Sequence, residues 1–244
     1  MTEQPDPALL YPDIAAHGGL GAALLAVAEA EGISLPASSV ASDSLVFAAV
    51  ESVVPRRRPL RVSARSFRRV WSVGGSESLQ GLSLVDGETV DLTEVVRVAR
   101  AWHDGVELDG IHEAAPFMEL SGRFEVPDGD PVLLAESEWR FLCAEAAAER
   151  NSRRQELFEA AYAEPVLRNL YPFTSHGVLR FSTATRPRLV LVGPCLSATE
   201  GAPYTVREEY MGARVLAETA TAAEAVAAAS RHMPPDLGPV TLGV

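Results

Sequence analysis

The densest group of chemically capable side chains is Tyr171-Pro172-Phe173-Thr174-Ser175-His176, which reads as a loop joining a helix to a strand and is followed by Arg180, Ser182 and Thr183. Together these supply hydroxyl, imidazole and guanidinium groups, the makings of a small polar pocket to which His17 would add a second imidazole. Adjacency of Ser175 and His176 is not in itself a catalytic pair, because a nucleophile and its base must meet in space. Two readings stand. One is an enzyme that transforms a small molecule through Tyr171, Ser175, His176 and Arg180, with His17. In the other, Tyr171 and Phe173 anchor the core and His176 is a turn residue.

A second group is electrostatic. Arg56, Arg57, Arg58, Arg61, Arg65, Arg68 and Arg69 fall in one stretch with no acid among them, in a chain of net charge -12. Alternation from Leu60 puts Leu60, Val62 and Ala64 on one face of a strand and Arg61, Ser63 and Arg65 on the other. Guanidinium forks in a row suit carboxylates and phosphates. The strip then serves an acidic peptide, protein or phosphorylated partner, or it pairs with the chain's own surplus of Asp and Glu.

The remaining chemistry is narrowed by what is missing. All 21 basic residues are arginine, so chemistry that needs a lysine amine is excluded: Schiff bases, pyridoxal phosphate, P-loop phosphate binding and ordinary protein kinases. His17, His103, His112, His176 and His232 show no metal spacing, and Cys143 and Cys195 make neither a disulfide framework nor a thiolate site. No metal and no cofactor are expected. Cys195 has no feature that would lower its pKa and reads as a small buried thiol. The glycines of His17-Gly18-Gly19 follow no strand, so they read as a helix start and not as a dinucleotide loop. The acidic balance argues against nucleic acid and anionic membranes, and Glu107, Asp109 and Glu113 spoil the one helix-turn-helix-like stretch. No apolar run reaches the roughly 20 residues that span a bilayer. With a polar N-terminus and two cysteines, a cytoplasmic protein is expected.

The elements that must position these groups follow from periodicity and punctuation. Gly19–Gly32 reads as a helix. Leu45–Val54, Leu60–Val73 and Gln80–Val85 read as strands, closed by a turn at Asp86-Gly87. Asp91 opens a helix to His103, with Glu94 completing a capping box, and Gly105 stops it. A short helix follows in Val106–Leu120. Glu136–Arg150 and Arg154–Leu170 are helices, and Val178–Thr183, Leu189–Val192, Tyr204–Glu209 and Arg214–Glu218 are strands. A last helix, Ala222–His232, is capped by Thr221 with Glu224. Glu88–Glu94 parallels Glu218–Glu224. This predicts an α+β protein of two similar units, 1–125 and 136–244, each an antiparallel sheet flanked by helices, joined by a linker at 126–135. Internal duplication and a chance likeness of two capped helices both fit.

Several blocks together carry a family likeness. They are Tyr162-Ala163-Glu164-Pro165, Leu170–His176, Leu179–Thr183, Tyr11-Pro12-Asp13 with His17-Gly18-Gly19, Ala101-Trp102 with Gly105, Ala115-Pro116-Phe117 and Ala220–Val226. The chain resembles an actinobacterial domain-of-unknown-function family whose members are labelled natural product biosynthesis proteins. The resemblance implies an association with specialised metabolism, and it brings no reaction and no residue roles. The expectation is an accessory or binding protein whose arginine strip holds an acidic peptide, carrier protein or other anionic partner. The small-molecule enzyme and a protein-neutralising, immunity-type interaction protein are the alternatives, and self-association is left open.

Overall fold

The computed structural model describes residues 6–42, 44–149, 151–210 and 214–243. The chain is α+β and divides into two compact units, Met1–Ser121 and Gly122–Val244.

In the first unit three helices, α1 (Pro7–Leu10), α2 (Pro12–Ala16) and α3 (Leu20–Ala30), precede a meander of β1 (Val40–Ala41), β2 (Phe47–Val50), β3 (Leu60–Ala64), β4 (Trp71–Ser76) and β5 (Ser83–Thr89). Helices α4 (Leu92–His103) and α5 (Leu108–Ala114) follow, and β6 (Met118–Leu120) returns beside β5. All six strands pair antiparallel in chain order. One sheet face is apolar through Ala48, Val50, Leu60, Val62, Trp71 and Val73, and α3 and α4 pack on it. Val95, Val98, Ala99 and Trp102 of α4 are buried, as its spacing predicts.

Two glycines explain how closely these parts approach. Trp102 lies against β4, its indole N–H donating to the Arg58 carbonyl at 3.0 Å, and a β-carbon on Gly75 would overlap its ring. Gly87 lies where a β-carbon would overlap the Phe117 carbonyl. Asp86-Gly87 is therefore not a turn. Both residues sit inside β5, paired with Gly74 and Val73 on one side and Glu119 and Met118 on the other. Glycine here answers a close backbone approach and not a reversal.

The stretch Leu60–Val73 is likewise two strands joined by a turn at 65–70, with Ala64 opposite Trp71. Tyr11 holds that turn. Its buried hydroxyl accepts from Val70 N at 3.2 Å and lies 2.8 and 2.9 Å from the Arg65 and Arg68 carbonyls, to which it donates. Arg69 lies over the rings of Tyr11 and Trp71 and pairs with Asp13 at 2.6 Å. Residues 7–16 are thus two short helices fastened to the sheet. Asp91 caps α4 as expected, but Glu94 accepts from the Thr89 hydroxyl and closes no box.

The second unit repeats the order. Helices α6 (Pro131–Ala148), α7 (Ser152–Ala163) and α8 (Pro165–Arg168) precede β7 (Tyr171–Ser175), β8 (Val178–Ser182), β9 (Ala184–Pro187), β10 (Leu191–Ser197), β11 (Tyr204–Arg207) and β12 (Val215–Thr219). Helix α9 (Ala222–Arg231) and β13 (Thr241–Gly243) complete it. The main sheet runs β12-β11-β10-β8-β7, antiparallel throughout, and β13 pairs with β9 in parallel. Leu179, Phe181, Leu196, Tyr204 and Val206 face a core shared with α6, α7 and α9. Thr221 and Glu224 close the expected reciprocal box on α9. In each unit a helix after the last long meander strand covers the apolar sheet face.

Residues 131–135, read as the end of a linker, are the first turn of α6. Asp130 accepts from Val132 N and Leu133 N, and Pro131 takes the first helical position, where a missing N–H costs nothing. The segment before it is also held. Arg123 makes a buried two-point pair with Glu138 at 2.7 and 3.1 Å, and the Ser137 hydroxyl bonds Phe124 N and O. Arg154–Leu170 is broken at Glu164, since Pro165 cannot continue a helix and starts α8. Among the described residues no helix is long and apolar enough to cross a membrane.

Two outcomes test this packing. Gly75→Ala should destabilise by about 1–3 kcal/mol, the usual cost of overpacking, read as a lower urea midpoint at unchanged slope. The Arg69 guanidinium holds the Asp13 carboxyl below its ordinary value. A depressed carboxylate contributes stability above its unfolded pKa and loses it as pH falls through the folded one. Asp13→Asn should therefore cost about 0.2–1 kcal/mol at pH 7, as exposed pairs do. Wild type and variant should converge as pH drops below 3.8, the unperturbed value.

Candidate functional site

The seven arginines of the strip do not form one open row. Arg57 is buried, donating to the Val106 carbonyl at 2.7 Å with its guanidinium over the Trp102 ring at 4.6 Å. Arg65 and Arg68 both pair with Glu88, and Arg69 is held by Asp13. Glu88 lies two strands from β3, through Ser63 and Ser72. Arg56 is half-buried beside Arg57 in the turn before β3. Arg58 and Arg61 differ. Both are exposed, and no described carboxylate lies within ion-pair distance of either. Arg61 projects from the outer face of β3, near the Phe47 ring at 5.9 Å. On the same face the row Arg61–Gly74–Asp86–Glu119 turns from basic to acidic across the sheet.

The Tyr171–His176 segment is not a loop. It is strand β7, and His176-Gly177 is the two-residue turn to β8, with φ of 52° and 77° at its two residues and Ser175 opposite Val178. Positive φ at both central residues is the turn whose twist suits a hairpin. Tyr171 is wholly buried with Phe173, Ala135 and Val240. Ser175 lies 3.2 Å from His176 Nδ1, the wrong nitrogen for a triad, in which Nε2 serves the serine and Nδ1–H meets the carboxylate. His176 stacks on Tyr210, with centroids 5.6 Å apart and planes at 16°, and Arg180 lies between Phe173 at 5.3 Å and Tyr210 at 5.6 Å. The structure thus gathers His176 and Arg180 around Tyr210, leaves Ser175 at the turn, and holds Tyr171 in a separate core. His17 belongs to the first unit, at the C-terminal end of α2. The helix start beside it is satisfied by the chain itself, since Leu20 N donates to the Ser44 carbonyl.

What the sequence does not display is a cleft of about 630 Å³ in the second unit. Two irregularities of its sheet open it. Val192 pairs with Phe181 and Leu196 with Leu179, so Gly193, Pro194 and Cys195 of β10 stand opposite the single residue Arg180 of β8. Likewise Val206 pairs with Ala217 and Arg207 with Val215, leaving Leu216 of β12 as an extra residue. Bulges of this kind re-aim side chains and collect at sites. Gly193 is required: its φ is +66°, and a β-carbon would overlap the Met233 side chain. The Gly193-Pro194 pair inside a strand-like run was the available signal, yet it reads equally well as a strand end, which is why Leu189–Val192 stops short of it.

The lining of the cleft combines charged and apolar side chains. Arg180, Arg214, Glu208, Glu209, Tyr210 and His232 line it together with Leu191, Val192, Pro194 and Leu216. His232 Nδ1 lies 2.8 Å from the Ala228 carbonyl. A carbonyl only accepts, so that nitrogen carries the proton and Nε2 is the ring's remaining polar atom. Cys195 is buried; burial pushes its thiol up, against smaller downward pulls from Arg180 and Arg207. Cys143, on α6, is pushed up to about 11 by burial and by Glu159 and Glu136. Among the described residues, no three His, Cys, Asp or Glu side chains are grouped to hold a metal ion. This arrangement equips the cleft to bind an anion beside apolar surface.

No curated protein matches the chain, and no solved structure does. Residues 133–244 match the model of a family of unknown function (DUF6193), so the part of this chain similar to that family is its C-terminal unit, cleft included.

Proposed function

We propose that this protein is a recognition component and not a catalyst, holding an acidic peptide or protein partner through Arg58 and Arg61. The observation that carries the reading is the exposure of these two guanidiniums with no described carboxylate in reach, beside four arginines of the same strip that are internally held. A planar guanidinium keeps its charge at any working pH and offers paired donors to a carboxylate. Exposed charges act on partners over about 8–10 Å at physiological salt, so the patch would steer association as well as hold the partner. Within the actinobacterial natural-product setting suggested by the sequence resemblance, a precursor peptide or a carrier protein has the required acidic character. Arg65, Arg68 and Arg69 then serve as structural members that fix the turn before β4.

Catalysis finds less support. Tyr171 is buried away from Ser175 and His176, the serine meets the imidazole at Nδ1, and burial raises both thiols. A protonated thiol is a poor nucleophile.

The test uses a fluorescein-labelled hexaglutamate peptide. Reversing Arg58 and Arg61 together to Glu should weaken its binding at least about 10-fold at 50 mM salt, equivalent to about 1.4 kcal/mol. Binding to wild type should also fall as salt is raised to about 300 mM. Unchanged affinity of the double variant at low salt would sink the reading. In a separate check, iodoacetamide at pH 7.5 should modify the folded protein slowly at both Cys143 and Cys195 and the urea-unfolded chain fast. Rapid alkylation of native Cys195 would restore it as a nucleophile.

A further inference from the structure

Arg180 has three features that together point to a ligand. It stands on β8 where the sheet is opened by three residues of β10, so its guanidinium lines the cleft rather than a continuous ladder. Its guanidinium lies near two aromatic rings, 5.3 Å from the Phe173 centroid and 5.6 Å from that of Tyr210. No described residue accepts a hydrogen bond from that guanidinium or pairs with it. A half-buried arginine so placed has lost part of its hydration and gained no acceptor in exchange. That cost is recovered when an anion docks, and a charge-assisted, two-pronged bond is the strongest available form.

The rest of the lining selects the anion. Glu208 and Glu209 stand at the same cleft as Arg180 and Arg214, which makes its formal charge zero before a ligand enters. A singly charged carboxylate satisfies Arg180 at small cost in repulsion, whereas a doubly charged phosphate meets two glutamates. Leu191, Val192, Pro194 and Leu216 add apolar lining to these charged groups. The volume of about 630 Å³ lies within the range of small-molecule sites.

We propose that the cleft opened by the β10 and β12 bulges binds a small monocarboxylic acid with an apolar body, its carboxylate on Arg180 and its hydrocarbon along Leu191, Val192 and Leu216. The site is separate from the Arg58 and Arg61 patch and takes a different class of ligand. Either can fail without the other.

The experiment is an amide NMR titration of the full chain with octanoate, its neutral amide octanamide, and octyl phosphate. Octanoate should shift the amides of Val192, Gly193, Cys195 and Leu216 and bind at least about 10-fold more tightly than either comparator. Arg180→Gln should lose at least about 10-fold in octanoate affinity with an unchanged circular dichroism spectrum. The exposed pair Glu208→Gln with Glu209→Gln, which leaves the sheet untouched, should bind octanoate about 2-fold or more tightly and accept octyl phosphate better. Three results would each overturn the proposal. They are equal binding of octanoate and octanamide, shifts that spare Val192, Gly193, Cys195 and Leu216, and no gain in the glutamine pair. Arg58→Glu with Arg61→Glu should leave octanoate binding as in wild type, so loss of peptide binding there and loss of acid binding here are distinguishable.

Discussion

An antiparallel meander has one face that must be taken out of water, and in both units the helix following the last long meander strand does this. Helix α4 lays Val95, Val98, Ala99 and Trp102 on the first sheet, and α9 lays Ala225, Val226 and Ala229 on the second. At about 25 cal/mol per Å² of apolar surface, burial of this kind supplies the dominant favourable free energy of each unit. The opposite faces are then released from packing. There the first unit displays Arg61, Asp86 and Glu119 in one row, and there the second places Phe173 opposite Arg180.

The close approach of helix to sheet is met in different ways. In the first unit β4 gives up a side chain at Gly75, so that the Trp102 indole can lie on the backbone and reach the Arg58 carbonyl. In the second, β10 buckles, and Gly193 makes room for Met233 at the end of α9. The first keeps its pairing with β3 unbroken and shifts register with β5 by a single residue, Leu84, after Gly75. The second breaks the ladder opposite Arg180 and leaves a cleft. Two units of the same element order thus diverge at the point where sheet meets helix, and the divergence creates the concavity.

Charge follows the same logic. The arginine strip is continuous in sequence, but strand geometry sends its members to different destinations. Arg57 turns into the core above Trp102, Arg65 and Arg68 reach across two strands to Glu88, and Arg69 stacks on Tyr11 and meets Asp13. Of a stretch that reads as seven equivalent cations, Arg58 and Arg61 are then left exposed with no described carboxylate in reach, while Arg65, Arg68 and Arg69 are exposed but paired. Exposed ion pairs contribute little to stability individually. Their larger effect here is to decide which arginines remain for a partner.

The sequence by itself determined what local chemistry can determine. It showed the α+β class and the helices α3, α4 and α9. It also showed the capped starts at Asp91 and Thr221 and the alternation that exposes Arg61. Each of these depends on a residue and neighbours within a few positions, where backbone sterics and side-chain caps dominate. It misread the places where a distant contact overrides the local cue. Asp86-Gly87 looks like a turn but answers Phe117, Leu60–Val73 looks like one strand but is bent around Tyr11, and Tyr171–His176 looks like a loop but pairs with β8. Nor did it show the cleft, because strand register brings Arg180 towards Glu208 and Tyr210, and the packing of α9 on that sheet brings His232. Two bulges set that register, and only the paired strands reveal it. A side chain's type is written in the chain, whereas its neighbours across a sheet are decided by the free energy of the whole packed unit.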